Sequence, residues 1–477
     1  MWILKNTDMG NRTALWYALE SGCDETVDLL LEHGAVIDVK KQSNGFETLL
    51  ASACRGGSMK YVARLLEMGA ELDPDTGKWR LMKPLSWACM MGHGDIALLL
   101  MDRGAKLNYT DSHGTTMLMC AACGGDARVV SRLLAAGADL EARDEDGKTP
   151  LMFACESDRP DAAAYLLDHG ARLDVYDDDG NTPLLLACQF GCCEMVELLL
   201  AHGADLEERT PEGETPLMLA MQRANKGVIP LLLRSGADIE ARDDEGMTPL
   251  MHALQCDNEN DEREAVRMLL DAGADIESKD NEGMTVLMHA CMEVSETTDI
   301  LLDAGADVNA QDNRGMLPLM FAVNSEFNLH ERLLLVQYLL HRGALVNACN
   351  YEKCTALMIA CFYDTPDIVA SLLQAGADVN AADNDGNTSL MYACANDCDS
   401  LIPVLLDAGA NLAAKNAAGE NALTFALRKS TNPGCALTLI AAGMPATKSD
   451  LASLTKNKKM SKNSKTLLRE TIKQQMQ

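Results

Sequence analysis

The sequence predicts an all-α fold with short β-turn fingers, a curved solenoid of stacked helix-turn-helix units. Three observations predict it. The dipeptide Gly-Ala recurs after an apolar run, starting at Gly34, Gly69, Gly104, Gly137, Gly170, Gly203, Gly236, Gly273, Gly305, Gly343, Gly376 and Gly409, with a degenerate thirteenth mark at Gly443. The intervals run from 32 to 38 residues and are most often 33. A second mark keeps phase with the first: Thr149-Pro150-Leu151, Thr182-Pro183-Leu184, Thr215-Pro216-Leu217 and Thr248-Pro249-Leu250. Finally, aromatic residues are only 4% of the chain, while Leu, Ala, Met and Cys dominate its apolar set. That composition suits helices packed closely through small side chains and leaves no large aromatic core.

One unit, residues 177–205, shows why each residue is where it is. Gly180 supplies a turn conformation that a Cβ would penalise. Thr182 accepts an N–H at the start of the first helix, and Pro183 sits where a missing N–H costs nothing. Leu184 and Ala187 face inward, and Ala187 lets the next helix approach. A turn near Gly191 reverses the chain. Met195, Val196, Leu198 and Leu199 give the second helix its apolar stripe. Gly203 then ends that helix in the left-handed conformation. One such unit cannot bury its own face, so it needs neighbours on both sides.

This pattern resembles the ankyrin repeat, a unit of about 33 residues built from a turn and two helices. The resemblance covers residues 10–443, and thirteen in-register units carry it. It implies one array over 1–443, with 1–40 and 411–447 as capping repeats, while the Lys- and Ser-rich stretch 448–477 reads as a basic, partly disordered tail. A short amphipathic helix is expected there through Leu467, Leu468, Ile472 and Met476. The spacing breaks in three places. Repeat 8 carries an acidic insertion within Cys256–Glu264, and repeat 10 another near Asn324–His330. The segment Glu71–Pro84 departs from the turn pattern and contains Gly77, Lys78, Trp79 and Arg80. Insertions of this kind map to surface loops.

Composition excludes several classes of function. The formal charge is −30, from 71 acids and 41 bases, which disfavours nucleic acid and anionic membranes as partners of the array. Residues 448–477 alone carry +6, so an acidic body of −36 ends in a basic tail. No run of about 18 apolar residues exists, and the apolar stretch at the N-terminus is too short for a signal peptide. Seventeen cysteines at low density, mostly inside helical patterns, read as reduced thiols in a cytoplasmic compartment. Delivery into a host cell is compatible with the same features. A monomer is expected.

No Walker loop, G-x-G-x-x-G, G-x-S-x-G or H-E-x-x-H motif occurs, and the repeats leave no room for a catalytic domain. Neither an enzyme nor a cofactor or metal site is expected. Cys54, Cys89, Cys155, Cys188, Cys291, Cys361 and Cys394 form a ladder that reads as small buried side chains. Cys120-x-x-Cys123 and Cys188-x-x-x-Cys192-Cys193 lack the second pair that zinc requires. Methionine fills the slot three residues after the helix-starting Thr, as at Met119, Met152 and Met218, where the family often has a histidine; it reads as core. His33, His169 and His202 precede helix-ending glycines and read as structural. Arg143, Arg209, Arg242 and Lys279 precede turns and are expected to pair with neighbouring acids.

The resemblance also implies a site. In ankyrin arrays the turn tips and the exposed face of the first helix line a concave groove that holds partner proteins. Carried over by position, those slots are Tyr176, Asp178, Asp179, Gln189 and Phe190 in repeat 6, and Gln222 and Arg223 in repeat 7. They continue as Asn281, Glu282, Met284 and Met292 in repeat 9, and Tyr351, Phe362 and Tyr363 in repeat 11. Aromatics are favoured interface anchors. The expected function is therefore a non-enzymatic adaptor or scaffold that grips protein partners, with the acidic surface favouring basic segments. An effector or inhibitor whose array blocks a partner or host enzyme is the alternative.

Overall fold

A computed structural model of the chain describes residues 12–39, 48–74, 82–256, 258–325, 328–428 and 431–475. Gly77, Lys78, Trp79 and Arg80 of the irregular segment lie outside them, as do Asp257, Glu326, Phe327 and Met476. Thirteen pairs of helices follow one another among the described residues, from Ala14–Glu20 with Asp24–Glu32 to Ala422–Arg428 with Gly434–Ala441. We call the first helix of each repeat inner and the second outer. The fold is all-α. Where the turns come closest to strands they form isolated antiparallel bridges, such as Thr110 with Thr116 and Ala382 with Thr388. Contacts divide the chain into two compact units, Met1–Asp244 with repeats 1–7 and Glu245–Gln477 with repeats 8–13.

The first unit shows the construction. The inner helix of repeat 6, Pro183–Phe190, starts at Thr182, whose hydroxyl accepts the Leu185 N–H at 3.3 Å. Its Leu184, Ala187 and Cys188 are all but completely buried. Gly191, at φ +78°, and Gly203, at φ +90°, make the left-handed turns that end the two helices. The outer helix, Cys193–Ala201, buries Met195, Val196 and Leu199. Each such leucine contributes on the order of 2 kcal/mol by leaving water.

The methionine slot does more than fill space. In repeats 4, 5 and 7 the thioether sulfur accepts the N–H of the helix-starting Thr, at 3.2 Å from Met119 to Thr116, 3.4 Å from Met152 to Thr149 and 3.3 Å from Met218 to Thr215. The Thr hydroxyl in turn accepts the Met N–H. The reciprocal pair satisfies two amide donors that a helix start leaves unmatched.

Turns are locked in the same repetitive way. Asp144 Oδ1 accepts the N–H groups of Asp146 and Lys148, at 3.1 and 2.8 Å. The turns then join between repeats through backbone bonds: Glu145 N–H to His113 O at 2.8 Å, and Asp178 N–H to Asp146 O at 2.9 Å. In the second unit the equivalent bonds run from Asn281, Asn313, Tyr351 and Asn384 to the preceding tip. Below the tips, Asn309, Asn347 and Asn380 each clamp the next repeat, donating to its helix-ending glycine carbonyl and accepting an N–H two residues later.

Several elements differ from the sequence expectation or add to it. The insertions in repeats 8 and 10 do not form loops alone. They lengthen the outer helices, Glu259–Asp271 and Leu329–His341, to 13 residues against nine in repeats 1–6, capped by Asn258 and Asn328. Where the sequence reading expects a partly disordered tail after Thr447, the chain forms helices Lys448–Lys456 and Lys462–Gln475, and Leu454, Met460, Leu468 and Ile472 are buried. Leu468 and Ile472 lie four apart, as an apolar helix face requires. Leu467, placed on the same apolar face by the sequence reading, is exposed. Arg143 and Arg209 donate to turn carbonyls, of Gly147 at 2.9 Å and Gly213 at 2.8 Å, and Lys279 donates to Gln311 O at 2.7 Å. They brace turns by bonding backbone.

Candidate functional site

The predicted slots fall at or beside the turn tips and the ends of the inner helices. In repeats 6 and 7, Tyr176 and Phe190 are 50% and 56% exposed. Asp178 and Asp179 are exposed at the tip, where the Asp178 amide also carries the bond that ties repeat 6 to repeat 5. Gln189 is half-buried, and its carbonyl accepts from Asn225 Nδ2 at 3.3 Å. Gln222 donates to Glu214 Oε1 at 2.5 Å, and Arg223 is exposed.

In the second unit Asn281 and Glu282 are exposed at the tip of repeat 9, and Met292 is exposed at the end of its inner helix. Met284 is not. Its side chain is buried because the residue after the turn glycine folds back under the finger, its amide held by Asp280 Oδ1 at 2.8 Å. Met284 therefore leaves the set of surface slots. Tyr351, 65% exposed, leans against the Gly315 turn, whose missing Cβ would lie 2.8 Å from its ring.

The structure gathers Phe362 and Tyr363 with a residue that sequence reasoning missed, Tyr392 of repeat 12. The Phe362 ring meets Tyr363 edge-on at 5.0 Å and Tyr392 edge-on at 6.5 Å. Tyr392 donates to Asp383 Oδ2 at 2.8 Å, and burial together with that carboxylate holds its phenol well above the usual range. The same device serves repeat 9, where His289 Nε2 lies 2.8 Å from Asp280 Oδ2. Register gave a signal for it: Tyr392 stands four residues after Thr388, as Phe153 does after Thr149 and His289 after Thr285. Around these rings lies a cavity of about 250 Å³, also lined by Met316, Asn324, Asn350, Glu352, Cys354, Met358 and Ile359. A second, of about 250 Å³, lies on the other side of Phe362 and Tyr392 and reaches Phe425.

Six of the described aromatic residues are exposed, and five of them, Tyr176, Phe190, Tyr351, Phe362 and Tyr363, occupy the predicted slots. The tips beside them are acidic. Glu145, Asp146, Asp178, Asp179 and Glu212 are exposed in the first unit, and Glu245, Glu282, Glu352 and Asp385 in the second.

Other candidate chemistry dissolves into structure. The seven ladder cysteines are at most 3% exposed, and burial pushes their thiols up from the ordinary range. His33, His169 and His202 each donate from Nδ1 to the carbonyl four residues earlier, at 2.7–2.9 Å. On the outer side of the second unit a cleft of about 420 Å³ runs past Arg263, Asp299, Leu334 and Tyr338, with the Arg263–Asp299 pair, at 3.0 Å, on its lining.

Models of three consecutive ankyrin repeats match residues 37–111, 118–210, 202–280, 256–350, 329–416 and 357–450, and the single-repeat model matches 10–42. The chain is an ankyrin-repeat protein. Ankyrin repeats are generally protein–protein interaction modules and typically carry no catalysis. No curated protein matches the chain. Among the described residues no helix is long and apolar enough to cross a membrane, and no cluster of three His, Cys, Asp or Glu residues has metal-binding geometry.

Proposed function

We propose that this ankyrin-repeat protein is a non-enzymatic adaptor or scaffold that binds partner proteins across its inner face, through the turn tips and inner helices. The observation that carries the reading is the placement of the aromatics. A chain with only 20 aromatic residues in 477 exposes six of those described, and five of these lie beside the turn tips or at the ends of the first helices. Large rings exposed in a fixed array lose little entropy on binding, which makes them effective anchors.

The exposed acids of the tips supply long-range attraction for basic segments and repel acidic ones. Reduced, buried thiols fit a cytoplasmic setting. The single continuous array is part of the same proposal. An unbiased interaction screen with the full chain tests it, followed by binding measured at rising ionic strength. Partners should be protein, their captured segments basic, and association should slow as salt screens the tips. A screen whose only reproducible partner is a nucleic acid or a lipid, or a partner insensitive to salt and to the inner-face aromatics, refutes the reading.

A further inference from the structure

We propose that the aromatic cavity of repeats 10–12 is a specific receptor for one cationic side chain, arginine or lysine, of a partner protein. The proposal rests on the inner face being the partner surface and adds to it the chemistry of one subsite. Three observations carry it.

The first is size. A cavity of about 250 Å³ falls below the range for drug-sized ligands and cofactors and suits a single side chain. The second is its walls. Phe362, Tyr363 and Tyr392 contribute π surfaces, with Phe362 nearly perpendicular to both neighbours, at 74° and 67°. Ring faces attract a cation electrostatically, and Met358 and Ile359 beside them suit its aliphatic stem. Tyr392 is held in place, because Asp383 Oδ2 accepts its hydroxyl while Asp383 Oδ1 accepts the amides of Asp385 and Asn387. A receptor wall that does not move loses little entropy on binding.

The third is charge. Glu352 is the one acid in the lining, no Lys or Arg lines the cavity, and no cation pairs with the Glu352 carboxylate among the described residues. Its amide is tied to Asn350 Oδ1 at 3.0 Å and its carbonyl to the Asn384 amide at 2.9 Å, so the residue is fixed while its carboxylate stays exposed. An apolar side chain would satisfy the rings but leave this carboxylate unused. A cation satisfies both.

The experiment uses the full chain carrying 3-fluorophenylalanine, with the Phe362 fluorine resonance assigned by Phe362→Tyr. The probes are N-acetyl-arginine methylamide, N-acetyl-lysine methylamide and their uncharged isostere N-acetyl-norleucine methylamide, titrated in the millimolar range. Both cationic probes should shift the Phe362 resonance saturably, and bind about three- to tenfold tighter than norleucine. Glu352→Gln should remove most of that preference and leave norleucine binding as it was. Equal or tighter binding of norleucine, no saturable shift with either cation, or a preference that survives Glu352→Gln overturns the assignment. Should the cations fail here while Phe190→Ala and Phe362→Ala still weaken a captured partner, the inner face stands as the partner surface and only the cation receptor falls.

Discussion

Replacing Glu208 by Gln should stabilise repeats 6 and 7 above neutral pH and change little at about pH 5. Six other repeats hold alanine in this register, at Ala142, Ala241, Ala310, Ala348, Ala381 and Ala414. Glu208 is instead a largely buried carboxyl that accepts a hydrogen bond from the Thr182 hydroxyl. Burial is the main cause of its raised pKa, helped by the charge of Asp205 and opposed by Thr182, and together they push it from 4.5 to about 7. The folded state thus holds the proton more tightly than the unfolded chain. Stability is fully present below about pH 4.5 and falls as pH rises towards 7. A displacement of that size corresponds to about 3 kcal/mol once the group is ionised. Gln keeps an acceptor for Thr182 and cannot ionise. Hydrogen exchange of repeats 6 and 7, compared between variant and wild type at matched pH, cancels the intrinsic rates. At about pH 8 the variant should be protected up to about a hundredfold more. Equal protection at both pH values, or a gain as large at about pH 5 as at about pH 8, refutes the reasoning.

Leu199→Ala, at a fully buried site of the repeat 6 outer helix, should cost on the order of 2–5 kcal/mol in denaturant unfolding and split the transition, because repeats are stabilised by their neighbours; a single unshifted transition contradicts this. Native thiol labelling should reach exposed Cys193 and Cys349 first and leave the seven ladder cysteines untouched, while denaturant opens all 17; rapid native labelling of Cys155 or Cys291 contradicts it. Deleting residues 448–477 should strip exchange protection from repeat 13, since that segment lies on its helices; unchanged protection means the segment is no cap.

The repeat, its caps and its turns were legible in the sequence because each depends on contacts a few residues apart. Gly203 can be read as a helix end without knowing what lies beside it, and Thr182 as a start. The rest depends on what stacks on what. Leu468 and Ile472 read as a weak amphipathic hint in a Lys- and Ser-rich stretch, and only a repeat with an open face turns them into a cap. The acidic insertion within Cys256–Glu264 reads as a loop because insertions in repeat arrays map to loops, yet acids are favoured in a first helical turn, and Asn258 caps it. The exposure of most predicted slots follows from position in the unit. Met284 fails because the tip folds its side chain under, and Tyr392 was missed because its role comes from Phe362 of the preceding repeat.

The central claim is that the inner face, and not the outer helices, holds the partner. Its most direct test is the affinity of a captured partner for Phe190→Ala and Phe362→Ala on one side and Leu334→Ala, on the outer helix of repeat 10, on the other. All three residues are exposed, so none of the substitutions should unfold the chain. The inner-face variants should each weaken binding by about 1–3 kcal/mol, and Leu334→Ala should leave it unchanged. Wild-type binding by both inner-face variants, with loss on Leu334→Ala, would contradict the account.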